Sequence, residues 1–447
     1  MSRFAIISMP LEPGHHNAAA VLAASLEARG HEVCFVGVAE DQTAIERRGF
    51  VYLPVTGPRS PARSEAGEGA GSPRTAARRP WGSRASRARG LWDHYMLRRG
   101  LLVGLARATA TLREFDGIVV DGLLLGAALT VARTGRPTVM LHTTFSPYNP
   151  AMPPFWTAHS PAGSGAARFL PWLCERWMRL RTALVALFQP RLPGTPGGRF
   201  RILGALPRWQ ALVESFPALI ACPRALDFPL PDLPSERHGP PLVDLRRAEE
   251  PFDWSVMPAS CTGGVVLVSM GTQHWLMREP LRFFAVVAAA AADMADRFFV
   301  IVAGDLAPVL AQAHRRANLL VLREGPQLQL LSRAAVMVTH GGLNTVKECV
   351  MMGVPMICFP IERDQPGNAA RVTWHGLGLR GDYRAVTGPE LADMVRQVAE
   401  GGQFRAAVER MRVAFRAHGD DAAARLVEEA IGPRWGDVAP DGARAAP

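Results

Sequence analysis

Residues 336–355 read VMVTHGGLNTVKECVMMGVP, an apolar strand that breaks at His340-Gly341-Gly342 and resumes as a helix from Asn344. Turning a strand into a helix does not call for an imidazole, since Asn-Gly or Ser-Pro would serve. Gly341 and Gly342 let the backbone come close to a ligand. A helix that starts there presents its unpaired N–H groups and its positive dipole end. Phosphate is the guest these donors suit. Thr345 adds a hydroxyl, and Glu348, one turn further on the same face, is placed to accept from a ribose hydroxyl. Taken alone, the motif is equally well explained as an ordinary turn capped by Asn344.

The elements that must carry this motif repeat along the chain. Residues 4–9 read as a strand, 10–17 as a glycine-containing loop, 18–29 as a helix and 32–38 as a second strand, a βαβ unit of the kind parallel strands require. A helical stretch near 91–113 follows, then FDGIVVDGLLLGAALTVARTGRPTVMLHTT as strand, helix, strand. The segment 223–258 holds eight prolines and reads as a linker. Beyond it, GGVVLVSMGT, FFVIVAG, NLLVLRE, AVMVTHGG and VPMICFP are short apolar runs separated by helical patterns. The expected fold is α/β, with two doubly wound parallel sheets facing across a cleft, where ligands bind at the strands' carboxyl ends. The expected boundaries are 1–222 for the first domain, 223–260 for the linker, 261–432 for the second domain and 433–447 for a frayed tail.

At 447 residues, 48% hydrophobic and 20% charged, the chain is long enough for two buried cores. Its net charge of +10 is not the mark of a nucleic-acid binder, because eight arginines against two glutamates in residues 57–90 supply most of the excess. That segment has turn-forming composition and lacks aromatics beyond Trp81, so it reads as a solvated, mobile loop. Six cysteines without a C-x-x-C pair read as reduced thiols of a cytoplasmic protein. The N-terminus lacks a signal-peptide core, and no run of about 18 apolar residues spans a membrane. GLGLRG, at Gly376, Gly378 and Gly381, matches a dinucleotide fingerprint literally but follows a helical stretch, so it fails its context test.

Around the opening motif stand REGPQLQLLSRAAVMVTHGG upstream and GVPMICFPIERDQPGNAARV downstream. Together they resemble the signature of the GT-B nucleotide-sugar glycosyltransferases, the family 1, UDP-glycosyltransferase type. The resemblance implies that Gln327 meets the nucleobase, that His340, Gly341, Gly342, Asn344 and Thr345 hold the diphosphate, and that Glu348 takes the ribose. Asp364 and Gln365 would bind the sugar hydroxyls, and SMGT, with Gly271 and Thr272, would close over the phosphates. One departure is Glu324, where many members place a tryptophan under the base. PGHHNAAAVLAASLEARGHEV resembles the family's Gly-His loop, which puts His15 in the place of the general base and Asp121 in that of its acidic partner. His16 reads as structural. The family implies inverting displacement with neither metal nor other cofactor.

THGGLNTV and DQPGNAARVTWHGLGLR are most similar to the bacterial zeaxanthin-type carotenoid glucosyltransferases. The acceptor half is less similar, so a carotenoid, a polyketide or another lipophilic metabolite all fit as acceptor. The Trp-bearing stretch 169–192 reads as core helices, with a wall for such a substrate or a peripheral membrane contact as the sharper alternative. The expected partners are a nucleotide sugar and a lipophilic acceptor, without nucleic acid. Two other classes stay open: a catalytically silent partner subunit and a nucleotide-sugar epimerase of similar architecture.

Overall fold

The computed structural model describes residues 1–57, 84–145, 216–229, 231–271 and 277–432, with side chains from residue 95 onward in the helix that begins at Arg84. Thr272, the stretch 169–192, most of the Arg-rich segment and the tail 433–447 lie outside the described residues.

The first sheet contains β1 (Arg3–Ile7), β2 (Glu32–Gly37), β3 (Val51–Pro54), β4 (Gly117–Asp121), β5 (Thr138–His142), β6 (Ala218–Ile220) and β7 (Glu236–His238), in the order β3-β2-β1-β4-β5-β6-β7. The second contains β8 (Val265–Ser269), β9 (Phe298–Val302), β10 (Leu319–Leu322), β11 (Ala334–Thr339), β12 (Met356–Cys358) and β13 (Gly378–Arg380), in the order β10-β9-β8-β11-β12-β13. Every adjacent pair is parallel. The central strands GIVVD and VVLVS are buried at every residue. Helices cover both faces of such a sheet, so its strands are continuous apolar runs with no polar alternation.

Strand order reverses at β1/β4 in the first sheet and at β8/β11 in the second. Crossovers leave a sheet in opposite directions at such a point, which opens a crevice at the strands' carboxyl ends. β4 ends on Asp121, and the segments after β1, β8 and β11 carry His15, Gly271 and His340.

Several expected boundaries shift. The first helix spans Pro13–Ala28, so it starts earlier than residue 18 and places His15 and His16 in its first turn. Pro13 explains this, since its fixed φ suits the first helical position, where its missing N–H costs nothing. The helix Arg84–Arg107 takes in the end of the segment expected to be a loop, helped by the high helix propensity of its Arg, Ala and Leu residues. The expected linker carries β7, an edge strand, where flanking prolines are tolerated. The helix Ala422–Ile431, expected with the second domain, buries Ala423, Ala424 and Val427 in the core of the first sheet. Arg29 ties it there through Glu428 at 2.7 Å and Asp421 at 2.8 Å. In GLGLRG, Gly376 (φ 67°) turns the chain out of a helix, and a Cβ on Gly378 would lie 1.7 Å from the Met356 carbonyl oxygen. These glycines serve a turn and a crowded strand.

Candidate active site

The helix Pro13–Ala28 holds His15 at the crevice of the first sheet, and β4 ends at Asp121 beside it. His15 Nδ1 lies 2.7 Å from Asp121 Oδ2. A carboxylate accepts, so Nδ1 donates and Nε2 keeps its lone pair. Thr143, just past β5, places its hydroxyl 2.7 Å from the same Nδ1. Asp121 is nearly inaccessible, and its Oδ1 accepts from the Leu123 amide at 3.0 Å. Burial pulls the His15 pKa down. The adjacent Asp121 carboxylate, helped by Glu12 and Asp364, outweighs it and leaves the group above its ordinary value of 6.5. His16 is buried and faces Asp41 at 3.6 Å, while the second Asp41 oxygen accepts from the Leu11 amide, so this pair anchors the loop.

Across the cleft, His340 follows β11 and the helix Leu343–Met352 begins after Gly342, with no side-chain cap. The amides of Leu343, Asn344 and Thr345 are therefore free of the helix ladder. Gly341 has φ 80°, which favours glycine, and Asn368 Nδ2 holds its carbonyl at 3.0 Å. A Cβ on Gly271 would lie 2.5 Å from His340 Cε1, and one on Gly342 would lie 2.6 Å from Nε2. Both glycines are thus pressed against the imidazole. Burial without a carboxylate partner pushes the His340 pKa down to about 4. At neutral pH it is an uncharged N–H donor.

Asn344 does not cap the helix. Its amide nitrogen donates to the Gly14 carbonyl at 2.7 Å, beside His15. Arg363 Nη1 meets Glu12 Oε1 at 3.0 Å, so the two halves touch on both sides of His15. Asp364 accepts from Asn368 Nδ2 at 2.9 Å; its carboxyl is raised above the ordinary range by burial and lies close enough to His15 to act on it electrostatically. Gln365 Oε1 accepts from the amides of Ile361 at 2.8 Å and Glu362 at 3.1 Å, shaping the turn that presents Asp364. Gln327 Nε2 donates to Glu348 Oε2, which brings together the two residues expected at the base and the ribose. Thr345 sits half-buried in the first turn of the helix Leu343–Met352.

Deeper in the interface, Lys347 donates to the Ala221 carbonyl at 3.0 Å, and burial pushes its pKa down to about 8. Arg371 pairs with Asp227 at 2.6 Å, its guanidinium stacked 3.9 Å from the Phe145 ring centroid and 4.4 Å from that of Phe228. These contacts fix the second half against the first and its linker.

Residues 218–422 match the family described as UDP-glucoronosyl and UDP-glucosyl transferase. The zeaxanthin glucosyltransferase of Pantoea ananas is 27% identical over 332 residues, covering 71% of this chain and 72% of that protein. That of Pseudescherichia vulneris is 31% identical over 210 residues, 46% of this chain and 48% of the relative. Among solved structures, the glycotransferase of kitacinnamycin superimposes with a TM-score of 0.69 at 24% identity, covering 96% of this chain and 99% of that one. Spinosyn rhamnosyltransferase SpnG complexed with thymidine diphosphate does so with a TM-score of 0.58 at 17% identity, covering 96% and 100%. Over residues 218–422 the chain is a glycosyltransferase of the family 1 type by sequence. Its two parallel-sheet domains form the GT-B fold expected from the motifs.

Sequence reasoning missed several residues of this glycosyltransferase's cleft. Thr143 carried a signal, since it stands at the carboxyl end of β5, where such sheets collect ligand-facing groups. Glu12 and Arg363 carried none, because their pairing joins positions 351 residues apart. Arg247 carried none either: it comes from the proline-rich linker, yet its Nη1 lies 2.5 Å from Glu348 Oε1. Among the described residues, no cluster of three or more His, Cys, Asp or Glu side chains is arranged to hold a metal ion.

Proposed function

We propose that this glycosyltransferase moves a hexose or deoxyhexose from a nucleoside diphosphate sugar to a hydroxyl of a lipophilic small molecule, with inversion at the anomeric carbon and His15 as general base. The observation that carries the reading is the pairing of His15 with Asp121 directly opposite the uncapped helix start behind His340. An acceptor hydroxyl is a weak nucleophile near neutral pH. As its oxygen bonds to the anomeric carbon, its proton passes to His15 Nε2, and Asp121 stabilises the imidazolium that forms. The bond from the anomeric carbon to the diphosphate oxygen breaks on the opposite face, and the nucleoside diphosphate leaves with the bonding pair.

Charge then accumulates on the leaving oxygens. His340 as a neutral donor, the amides at the start of the helix Leu343–Met352 and the positive end of its dipole are suited to receive it. In this reading Gly271, with Thr272, closes over the phosphates, and Gln327 and Glu348 take the base and pentose. Asp364 and Gln365 hold the sugar, and Asp364's proximity to His15 supports a sugar lying between them. The chemistry needs no metal in this scheme, so a chelator should leave turnover unchanged. The likeness to zeaxanthin glucosyltransferases and to the kitacinnamycin enzyme supports a lipophilic natural product as acceptor.

The test is a matrix of UDP- and TDP-sugars against hydroxylated polyketides and carotenoids, read by mass spectrometry for one added sugar and by NMR for the anomeric configuration. The expected result is an inverted glycoside formed with chelator present. A retained configuration, or product from His15→Ala at the wild-type rate, would sink the reading.

A further inference from the structure

Glu348 is not an open carboxylate. Arg247 Nη1 donates to its Oε1 at 2.5 Å and Gln327 Nε2 donates to its Oε2, and the Glu348 side chain is only 6% exposed. The two donors differ in how firmly they are held. Arg247 also bonds Glu249 Oε1 at 3.3 Å through Nε, and the Asp244 carbonyl at 3.3 Å through Nη1. Glu249 in turn accepts from the amides of Leu328 at 3.0 Å and Gln329 at 3.1 Å, at the start of the helix Gln327–Ser332. Gln329 closes the seam, donating to the Glu250 carbonyl at 2.8 Å and accepting from the Phe252 amide at 2.9 Å. The linker is thus stitched to the helix that begins with Gln327, and the guanidinium is locked onto one oxygen of Glu348. Gln327 makes a single bond from an uncharged amide, with no second anchor on its side chain among the described residues, and can yield the other oxygen.

A carboxylate that binds the vicinal diol of a ribose meets each hydroxyl with one oxygen. Here only Oε2 is released easily. A hydroxyl that donates to Oε1 has to share that nearly buried oxygen with a guanidinium held at 2.5 Å in a charge-assisted contact, which weakens both bonds. We propose that Arg247 makes the donor site select nucleoside diphosphates whose pentose lacks the 2′-hydroxyl. This rests on reading Glu348 as the pentose-binding residue of the donor site.

Calorimetric titration of the full chain with UDP and with 2′-deoxy-UDP isolates that hydroxyl, since the two differ nowhere else. The deoxynucleotide should bind about tenfold more tightly, a difference of about 1.4 kcal/mol. Arg247→Ala should bring the ratio towards one by freeing Oε1 for the diol. UDP binding as tightly as 2′-deoxy-UDP to the wild type overturns the proposal without any variant, and leaves the donor-site reading intact. An unchanged ratio in a folded Arg247→Ala protein overturns the role of Arg247. If neither nucleotide binds, the donor-site reading itself falls and this inference with it.

Discussion

The two strand-order reversals are built alike and equipped differently. In the first, the segment after β1 supplies His15 and the end of β4 supplies a carboxylate; in the second, the segment after β8 supplies Gly271 and the end of β11 supplies His340. Both imidazoles are half-buried, yet their pKa values move in opposite directions. His15 is raised because Asp121 outweighs burial, and His340 falls to about 4 because burial acts alone. The first crevice sets its imidazole beside a carboxylate and the second sets its imidazole beside a glycine, and that difference separates a proton acceptor from a fixed neutral donor. The fold supplies the place, and one side chain decides the chemistry.

The largest test of this contrast is His15→Ala. It should lower turnover by about 10² to 10⁴-fold, the range for general-base catalysis, while calorimetry still shows nucleotide binding. Persisting turnover would merge the two histidines into one binding role. His340→Ala should cost about 10² to 10³-fold in kcat, as for loss of one preorganised donor to developing negative charge. A loss confined to the acceptor KM would place His340 on the wrong substrate.

Asp121→Asn sharpens the contrast through pH. With the charge gone, burial dominates and the His15 pKa falls, so the acid limb of kcat/KM should move to lower pH. The plateau should drop about tenfold, the gap between a charged and a neutral hydrogen bond. The linkage sign is the reverse of the usual carboxylate case. The raised His15 pKa stabilises the fold fully below about 6.5 and less as pH climbs through the folded value, so Asp121→Asn should lose more stability at pH 6 than at pH 9. His340 should show no NMR titration between pH 5 and 9 in either protein, while His15 titrates in the wild type and shifts to lower pH in the variant.

The smallest effect belongs to the contact between the halves. Arg363→Ala breaks a partly exposed pair with Glu12, and such pairs are worth roughly 0 to 1 kcal/mol, so donor KM should change by about fivefold or less. A larger change would mean that the halves are held apart or together mainly at this point and not through Asn344 and Gly14.

How far the residues could be read depended on how local each feature is. The buried strands announced themselves, because a parallel strand covered on both faces has to be apolar throughout. The motif at residues 340–348 was readable because its glycines, hydroxyl and carboxylate lie within three helical turns. The start of the first helix was misread, since the Gly-His sequence suggested a loop while Pro13 had already set the helical φ. The helix Ala422–Ile431 was assigned to the wrong half, because its apolar stripe states that it packs but not against which sheet. The contact of the linker's Arg247 with Glu348 left no trace in its prolines.

By itself, then, the sequence determined the α/β class, two doubly wound sheets, the anion-suited turn at His340 and the identity of the groups that stand at each sheet's crevice. Only the tertiary structure decided which groups meet. His15 and Asp121 are 106 residues apart, Arg247 and Glu348 are 101, and Gly14 and Asn344 are 330. Periodicity and propensity act over a few residues. The final few ångströms between such partners come from strand order, crossovers and the packing of one half on the other, and the titration of each buried group follows from those distances.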